Sequence, residues 1–353
     1  MSRPRPASIS RRLLLRLLRR TGTTTIRLGR HSWVLQRGDG SPLHVDALGP
    51  QAWLVQSHPR EPLEITQLER GSWLVEHPKR RRTVVRVGGK AMRTQLLTAR
   101  NAARRDMRKL QNRLGDYLGV EYVAWLLDRM AVTCVLDVGA NRGQFAQQLR
   151  ETGYTGRIVS FEPVARFAAQ LEAAAEGDPD WRVMRCALGD QEGTAEINVG
   201  GTVSSLLPAS GYGRARTDNL RRTTTETIRI RRLESVFGDA VEGLSHPRVY
   251  LKMDTQGFDL ATFRGAGSRI REVVALQSEL SYVPLYEGMP HHLEQVGAYE
   301  AEGFAVSGIF PVTRDVPTLR VVESDLVMVR PDAVPAPADV TRPPTRRSPG
   351  AEG

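Results

Sequence analysis

Four groups of residues in this chain have the types and spacing to do chemistry. The first is the stretch from Asp137 through Gly139, Asn141 and Gly143. Its two glycines let the backbone turn tightly and approach a ligand with no Cβ in the way. An acid just before such a turn suits a ligand with a positive centre or an amino group. The second is Glu162, 25 residues after Asp137. A nucleotide-binding βαβ unit uses a carboxylate at about that distance, some 20 residues on, to take ribose hydroxyls. The third is Asp254 with Gln256, Asp259 and Glu279. A carboxylate here could accept the proton of an attacking hydroxyl, or Asp254 and Glu279 together could hold Mg²⁺ through oxygen ligands. The fourth is His291 and His292, whose imidazoles offer another base at neutral pH. Each group also has a plainer reading: a strand-to-helix turn, a turn-starting acid, a helix cap with an ion-paired glutamate, and two solvated histidines.

The elements that must position these groups alternate between strand and helix. Residues 134 to 138 form an apolar, β-branched run of the kind a strand buried on both faces needs, and a helical pattern begins at Phe145. Asp137 then falls at the carboxyl end of a strand, where open α/β sheets place their ligands. Residues 157 to 161, 182 to 187, 249 to 254 and 275 to 280 read as further parallel strands. Residues 304 to 309 and 321 to 330 complete the sheet, the last strand antiparallel. Between strands at 193 to 199 and 225 to 231 lies a long polar loop carrying Ser204, Ser205 and four arginines, read as a lid on the substrate or cofactor side. The turn lacks the third glycine of a dinucleotide motif and the Lys-Ser/Thr of a phosphate loop. S-Adenosyl-L-methionine has both a positive centre and an amino group, and the turn resembles the first motif of class I methyltransferases.

Six segments together resemble the FkbM family of S-adenosyl-L-methionine-dependent methyltransferases: DVGANRG, SFEP (160 to 163), CALGD (186 to 190), VSSLLP (203 to 208), LKMDTQGFD (251 to 259) and LYEG (285 to 288). The likeness covers roughly residues 120 to 330 and follows the family's order. It implies an α/β fold of the class I, Rossmann-like kind, with a seven-stranded, mostly parallel sheet. It also implies cofactor contacts at Asp137, Gly139, Asn141, Gly143, Glu162, Ala187 and Asp190, the last two beside the adenine. Catalysis falls to Asp254, Glu279 and His291. The family implies O-methylation of a hydroxyl on a sugar, glycan or secondary metabolite, and an arm at an anionic membrane would hold the enzyme beside a lipid-linked glycan.

The 353 residues carry a net charge of +11, unevenly placed. Residues 1 to 130 hold 26 Lys and Arg against 10 Asp and Glu, while residues 131 to 353 hold 24 against 29. The expected organisation is a basic arm at 1 to 20, a small β-rich module at 21 to 90, a helical connector at 91 to 130, the methyltransferase domain at 131 to 330 and a disordered, proline-rich tail at 331 to 353. The arm has seven arginines and no acid, and Ile9, Leu13 and Leu17 share a helical face suited to peripheral contact with an anionic membrane. Apolar runs follow at TTTIRL, SWVLQ, AWLVQ, SWLVE and TVVRV, with Trp33, Trp53 and Trp73 at 20-residue intervals, read as core. Leu96, Ala99, Ala103, Met107, Leu110 and Leu114 make a helical stripe, interrupted at Gly115 and Gly119 before a second short helix. Cys134 and Cys186 in core strands fit a reducing cytoplasm, at the inner face of the membrane if the arm binds there. The other function class is a non-catalytic or nucleic-acid-binding protein using the basic region, which the lack of a nucleic-acid motif disfavours.

Overall fold

The residues with the strongest apolar, β-branched character form the centre of the fold. The computed structural model describes residues 107–315 and 317–336, with side chains from Gly115 onward, and the backbone of six strands between residues 23 and 99. The chain divides into two units, Met1–Leu110 and Gln111–Gly353.

In the first unit, β1 (Thr23–Gly29), β2 (Ser32–Arg37), β3 (Glu64–Glu69) and β4 (Ser72–Glu76) make an antiparallel sheet of order β1-β2-β4-β3. Strands β5 (Arg82–Val87) and β6 (Thr94–Ala99) pair as a separate hairpin. Four of the five apolar runs named above lie in these strands, whereas AWLVQ, with Trp53, and the arm at 1 to 20 lie outside the described residues. Strand β6 corrects the expected helix over 91 to 130, since residues 94 to 99 pair in register with β5. Leu96 and Ala99 satisfy helical spacing, but two β-branched threonines and an available strand partner decide the outcome, and such a partner is invisible to local periodicity. A chain truncated near Met92 would cut this hairpin in two.

Helix α1 (Met107–Arg129) then runs without interruption through Gly115 and Gly119. A Cβ at Gly115 would lie 2.9 Å from the Pro311 carbonyl oxygen, so this glycine admits close helix–strand packing and does not break the helix. The expected second short helix is therefore the last part of α1.

From here strands and helices alternate: β7 (Cys134–Val138), α2 (Gln144–Glu151), β8 (Arg157–Phe161), α3 (Ala165–Ala175), β9 (Trp181–Met184), β10 (Ala187–Leu188) and β11 (Gly193–Val199). They are followed by α4 (Gly211–Arg216), α5 (Asp218–Arg221), β12 (Thr224–Arg231), α6 (Leu233–Val241), β13 (Val249–Met253) and α7 (Asp259–Arg264). The last are β14 (Val273–Ser281), α8 (His292–Ala301), β15 (Ala305–Arg314) and β16 (Val321–Val329). Seven strands form one sheet of order β15-β16-β14-β13-β7-β8-β9, in which β16 is antiparallel to both neighbours. The other pairings are parallel. This is the order of a class I, Rossmann-like methyltransferase sheet.

Every residue of β7 and β13 is buried, as strands covered on both faces require. One face packs on Val123, Leu126 and Leu127 of α1 with Ala146 and Leu149 of α2, the other on Phe237 of α6, Phe263 of α7 and Tyr299 of α8. The strand expected at 182 to 187 is split, because β10 leaves the main sheet to pair with β12 beside β11. The stretch 200 to 224 is no open loop: it holds a 3-10 turn at Gly201–Val203 and the short helices α4 and α5. Nor does disorder begin at 331. Pro331–Ala333 forms a 3-10 turn, a start that proline's fixed φ favours. Arg248 Nη2 donates to the Ala333 carbonyl at 2.5 Å.

Candidate active site

Register brings the chemistry together. Val138, Phe161, Met253, Ser278 and Leu326 align across five neighbouring strands. The residue one step beyond this level, toward the sheet's ligand edge, is Gly139, Glu162, Asp254, Glu279 and Asp325 in turn. Four carboxylates and one glycine thus stand in a row at the strand tips. A cavity of about 310 Å³ opens over this edge, and Gly139, Asn141, Glu162, Ala187, Lys252, Asp254 and Asp325 all reach its wall.

The turn after β7 is built for close approach. Gly139 has φ +78, and a Cβ there would fall 2.1 Å from the Asp254 carbonyl oxygen, so no other residue fits without parting the tips of β7 and β13. Asn141 has φ 51, a conformation asparagine tolerates better than most residues. Gly143 closes the turn as the N-cap of α2, also with positive φ. The Asn141 backbone N–H donates to Glu162 Oε2 at 2.8 Å, and the Val164 N–H donates to Oε1 at 2.9 Å. The two bonds orient the carboxylate on the cavity wall. Asn141 Oδ1 is buried without a protein partner, so an acceptor is left for a ligand hydroxyl or amine.

Burial pushes the Glu162 carboxyl up to about 7, against the pull of those two N–H groups. Because the folded value is raised, protonation favours the native state. This contribution to stability is full below the ordinary carboxylate value and is lost as pH rises through about 7. Cofactor binding should show the opposite trend, since the ionised carboxylate is the better acceptor for ribose hydroxyls. Affinity for S-adenosylhomocysteine, measured by calorimetry between about pH 6 and about pH 8, is expected to rise by at most about tenfold per pH unit below 7. Glu162→Gln should bind more weakly and without that slope. An affinity equal at both ends of the range in the wild type would remove Glu162 from ligand contact.

Asp137 is placed differently from the expectation of direct contact. It is fully buried, one register level below the tips, and does not reach the cavity wall. Its Oδ1 lies 3.1 Å from Lys252 Nζ, and its Oδ2 accepts from Ser160 Oγ at 3.3 Å. Lys252, a buried cation inside an apolar strand, was the overlooked signal: a charge in that setting must have a partner.

Asp254 is 40% exposed at the cavity wall, with Oδ2 3.6 Å from Lys252 Nζ. Gln256 Nε2 donates to Asp254 Oδ1 and to Glu279 Oε2, each at 3.0 Å. Gln256 in turn accepts from Ser205 Oγ through its carbonyl and from Tyr286 OH through its side chain, both at 2.7 Å. Three of the segments recognised in sequence therefore converge on one residue, Gln256. Asp259 lies apart, buried and accepting from Ser278 Oγ and the Thr255 and Glu279 N–H groups, which makes it a structural clamp.

Glu279 is held well above the usual carboxylate range by burial and by the charges of Glu323, Asp254 and Asp325. Among the described residues no group of three or more His, Cys, Asp and Glu is arranged to hold a metal ion. Asp325, pushed up to about 7 by burial and the Asp254 charge, was absent from the sequence reading because its strand is antiparallel and comes last.

Besides Asp137, the expected site residues Gly143, Glu279, Asp190 and His291 are absent from the cavity wall. Asp190 is exposed, because β10 turns away to pair with β12 and Gly189 continues that pairing through the Arg231 carbonyl. His291 is exposed at the start of α8, where its Nδ1 caps the helix by accepting from the Leu293 N–H at 3.3 Å. His292 stacks beside it, with its pKa lowered by burial and by His291. The cap holds the His291 ring, and His292 packs against it and Tyr282, so neither serves the strand tips.

Residues 137–304 match the model of the Methyltransferase FkbM domain. None of the curated proteins compared matches the chain. Among solved structures, fibrillarin from Aeropyrum pernix with bound S-adenosyl-L-methionine aligns at TM-score 0.34 and 12% identity, over 87% of this chain and 99% of that one. An S-adenosyl-L-methionine-dependent methyltransferase from Aquifex aeolicus aligns at TM-score 0.29 and 11% identity, over 56% and 82%. An O-methyltransferase from neocarzinostatin biosynthesis, in complex with S-adenosylmethionine and 2-hydroxy-5-methyl naphthoic acid, aligns at TM-score 0.33 and 12% identity, over 63% and 56%. At these scores the likenesses add nothing to the strand order and the family match. The glycine cradle, the carboxylate at the second strand tip and the unpartnered Asn141 oxygen fit S-adenosyl-L-methionine. Over residues 137–304 the chain is a methyltransferase domain of the FkbM family, with S-adenosyl-L-methionine as its cofactor.

Proposed function

We propose that the protein methylates a hydroxyl oxygen on a sugar, glycan or secondary metabolite. The observation that carries this reading is the row of carboxylates Asp254, Glu279 and Asp325 on neighbouring strand tips, of which Asp254 and Asp325 line the cavity. The cofactor supplies an electrophilic methyl group on a sulfonium. A hydroxyl is a weak nucleophile until a nearby group takes its proton, and an ionised carboxylate at the wall does so. Asp254 has that role, since Lys252 and the Gln256 amide orient it. Glu279, tied to the same amide, holds the acceptor side in place. A wall of carboxylates, with Gln256 and Ser204, offers acceptors to a ligand rich in hydroxyl donors, as a polyol is.

Segments for membrane attachment lie outside the described residues, and among those described no helix is long and apolar enough to cross a membrane. The test is transfer from methyl-labelled cofactor to a panel of free sugars, sugar nucleotides, lipid-linked glycans and phenolic metabolites. The expected product carries the label in an alkali-stable ether. Label found only on nitrogen, sulfur or a carboxyl ester would overturn the reading.

A further inference from the structure

Lys252 is the one cationic side chain on the cavity wall among the described residues. S-Adenosyl-L-methionine likewise has one anionic group, the carboxylate of its amino-acid end. We infer that Lys252 binds that carboxylate, and that Asp137 is the buried positioning residue that aims it.

The chain of contacts behind Lys252 is continuous. Trp181 Nε1 donates to Ser160 Oγ at 3.0 Å, Ser160 Oγ donates to Asp137 Oδ2, and Asp137 Oδ1 meets Lys252 Nζ. Strand register sets Ser160, Asp137 and Lys252 side by side on β8, β7 and β13. Asp137 cannot itself meet a ligand, because it is fully buried. Its carboxylate instead fixes the lysine, which explains an acid just ahead of the glycine turn without direct contact.

An ammonium has three donors. Asp137 faces Nζ at 3.1 Å, and Asp254 stands beyond hydrogen-bond distance at 3.6 Å, so the ammonium keeps donor capacity for a group in the cavity. Burial works against the lysine's charge, but the two carboxylates outweigh it and raise its pKa above the ordinary value. The Phe145 ring, 5.4 Å from Nζ, covers another side. Glu162, which takes the ribose, and Lys252 stand on strands two places apart, about 10 Å at the usual strand spacing. That span matches the reach from ribose to carboxylate within the cofactor.

The inference rests on the cofactor assignment, and its test separates the two. Calorimetry on the full chain compares S-adenosyl-L-methionine with its decarboxylated analogue, which keeps the nucleoside, sulfonium and amine. Wild-type protein is expected to bind the decarboxylated form about ten- to a hundredfold more weakly, the scale of one charged hydrogen bond. In Lys252→Gln that preference should collapse, with little change in affinity for the decarboxylated form. Asp137→Asn should reduce the same ratio, which a purely structural loss would leave intact. If Lys252→Gln does not fold, the double variant Lys252→Gln with Asp137→Asn removes both buried charges together and reads the same ratio. A wild type that does not distinguish the two ligands, or a variant that keeps the preference, overturns the inference. A wild type that binds neither ligand, nor S-adenosylhomocysteine, overturns the cofactor assignment itself.

Discussion

Asp254→Asn is expected to keep cofactor affinity and lose methyl transfer by roughly 10²- to 10⁴-fold, the usual cost of removing a general base. The substitution keeps the side chain's shape and its contact with Gln256, which reaches Asp254 at 3.0 Å. Lys252 retains Asp137 at 3.1 Å, so no buried charge is left without a partner and the fold should stand. What disappears is the carboxylate at the centre of the row, facing the position where an acceptor oxygen must lose its proton. Single-turnover transfer with a bound acceptor, read beside calorimetry with S-adenosylhomocysteine, separates chemistry from binding. A chelator added to the wild type distinguishes a proton acceptor from a metal ligand, since only the second role is sensitive to it. Full transfer by Asp254→Asn would move the proton acceptor to Asp325, the next free carboxylate on the wall.

Gly139→Ala is expected to destabilise the domain by about 2 to 5 kcal/mol and to abolish cofactor binding. Two costs combine: the positive φ that an L-residue resists, about 1 to 2 kcal/mol, and overpacking, about 1 to 3 kcal/mol. The overpacking is severe, because the added methyl would stand 2.1 Å from the Asp254 carbonyl oxygen, and backbone cannot swing aside as a side chain does. The tips of β7 and β13 would have to part, displacing Asp254 and breaking its N–H bond to the Val138 carbonyl at 3.1 Å. Urea unfolding gives the stability change and calorimetry the affinity. Wild-type values in both would mean that the two strand tips separate freely, and the cradle argument would fall with them.

What the sequence alone determined is what depends on local chemistry. Four apolar residues around Asp137, ending in a glycine turn, must be a buried strand entering a helix, because polar backbone in that setting has no other way to pair. Alternation of such strands with helices dictates a covered parallel sheet. Glu162 was legible because a proline stops its strand at the ligand edge. The tertiary structure decided everything that depends on which strands become neighbours. Register set Lys252 beside Asp137 and turned an expected cofactor contact into a buried support. It also brought Asp325 from the last strand into the row of Asp254 and Glu279, across some 70 residues of chain. Ser205, Gln256 and Tyr286 each read as part of a separate segment, and only folding shows that they meet at Gln256. Local pattern misled at β6, where a distant strand partner outweighed helical spacing, and at Gly115, where close packing and not a helix end required the missing side chain. His291 carried the right chemistry in the wrong place, since a helix start claims its ring before the cavity can. Pairing and packing are relations between distant positions, and a linear reading holds the chemistry of each residue without the geometry that joins them.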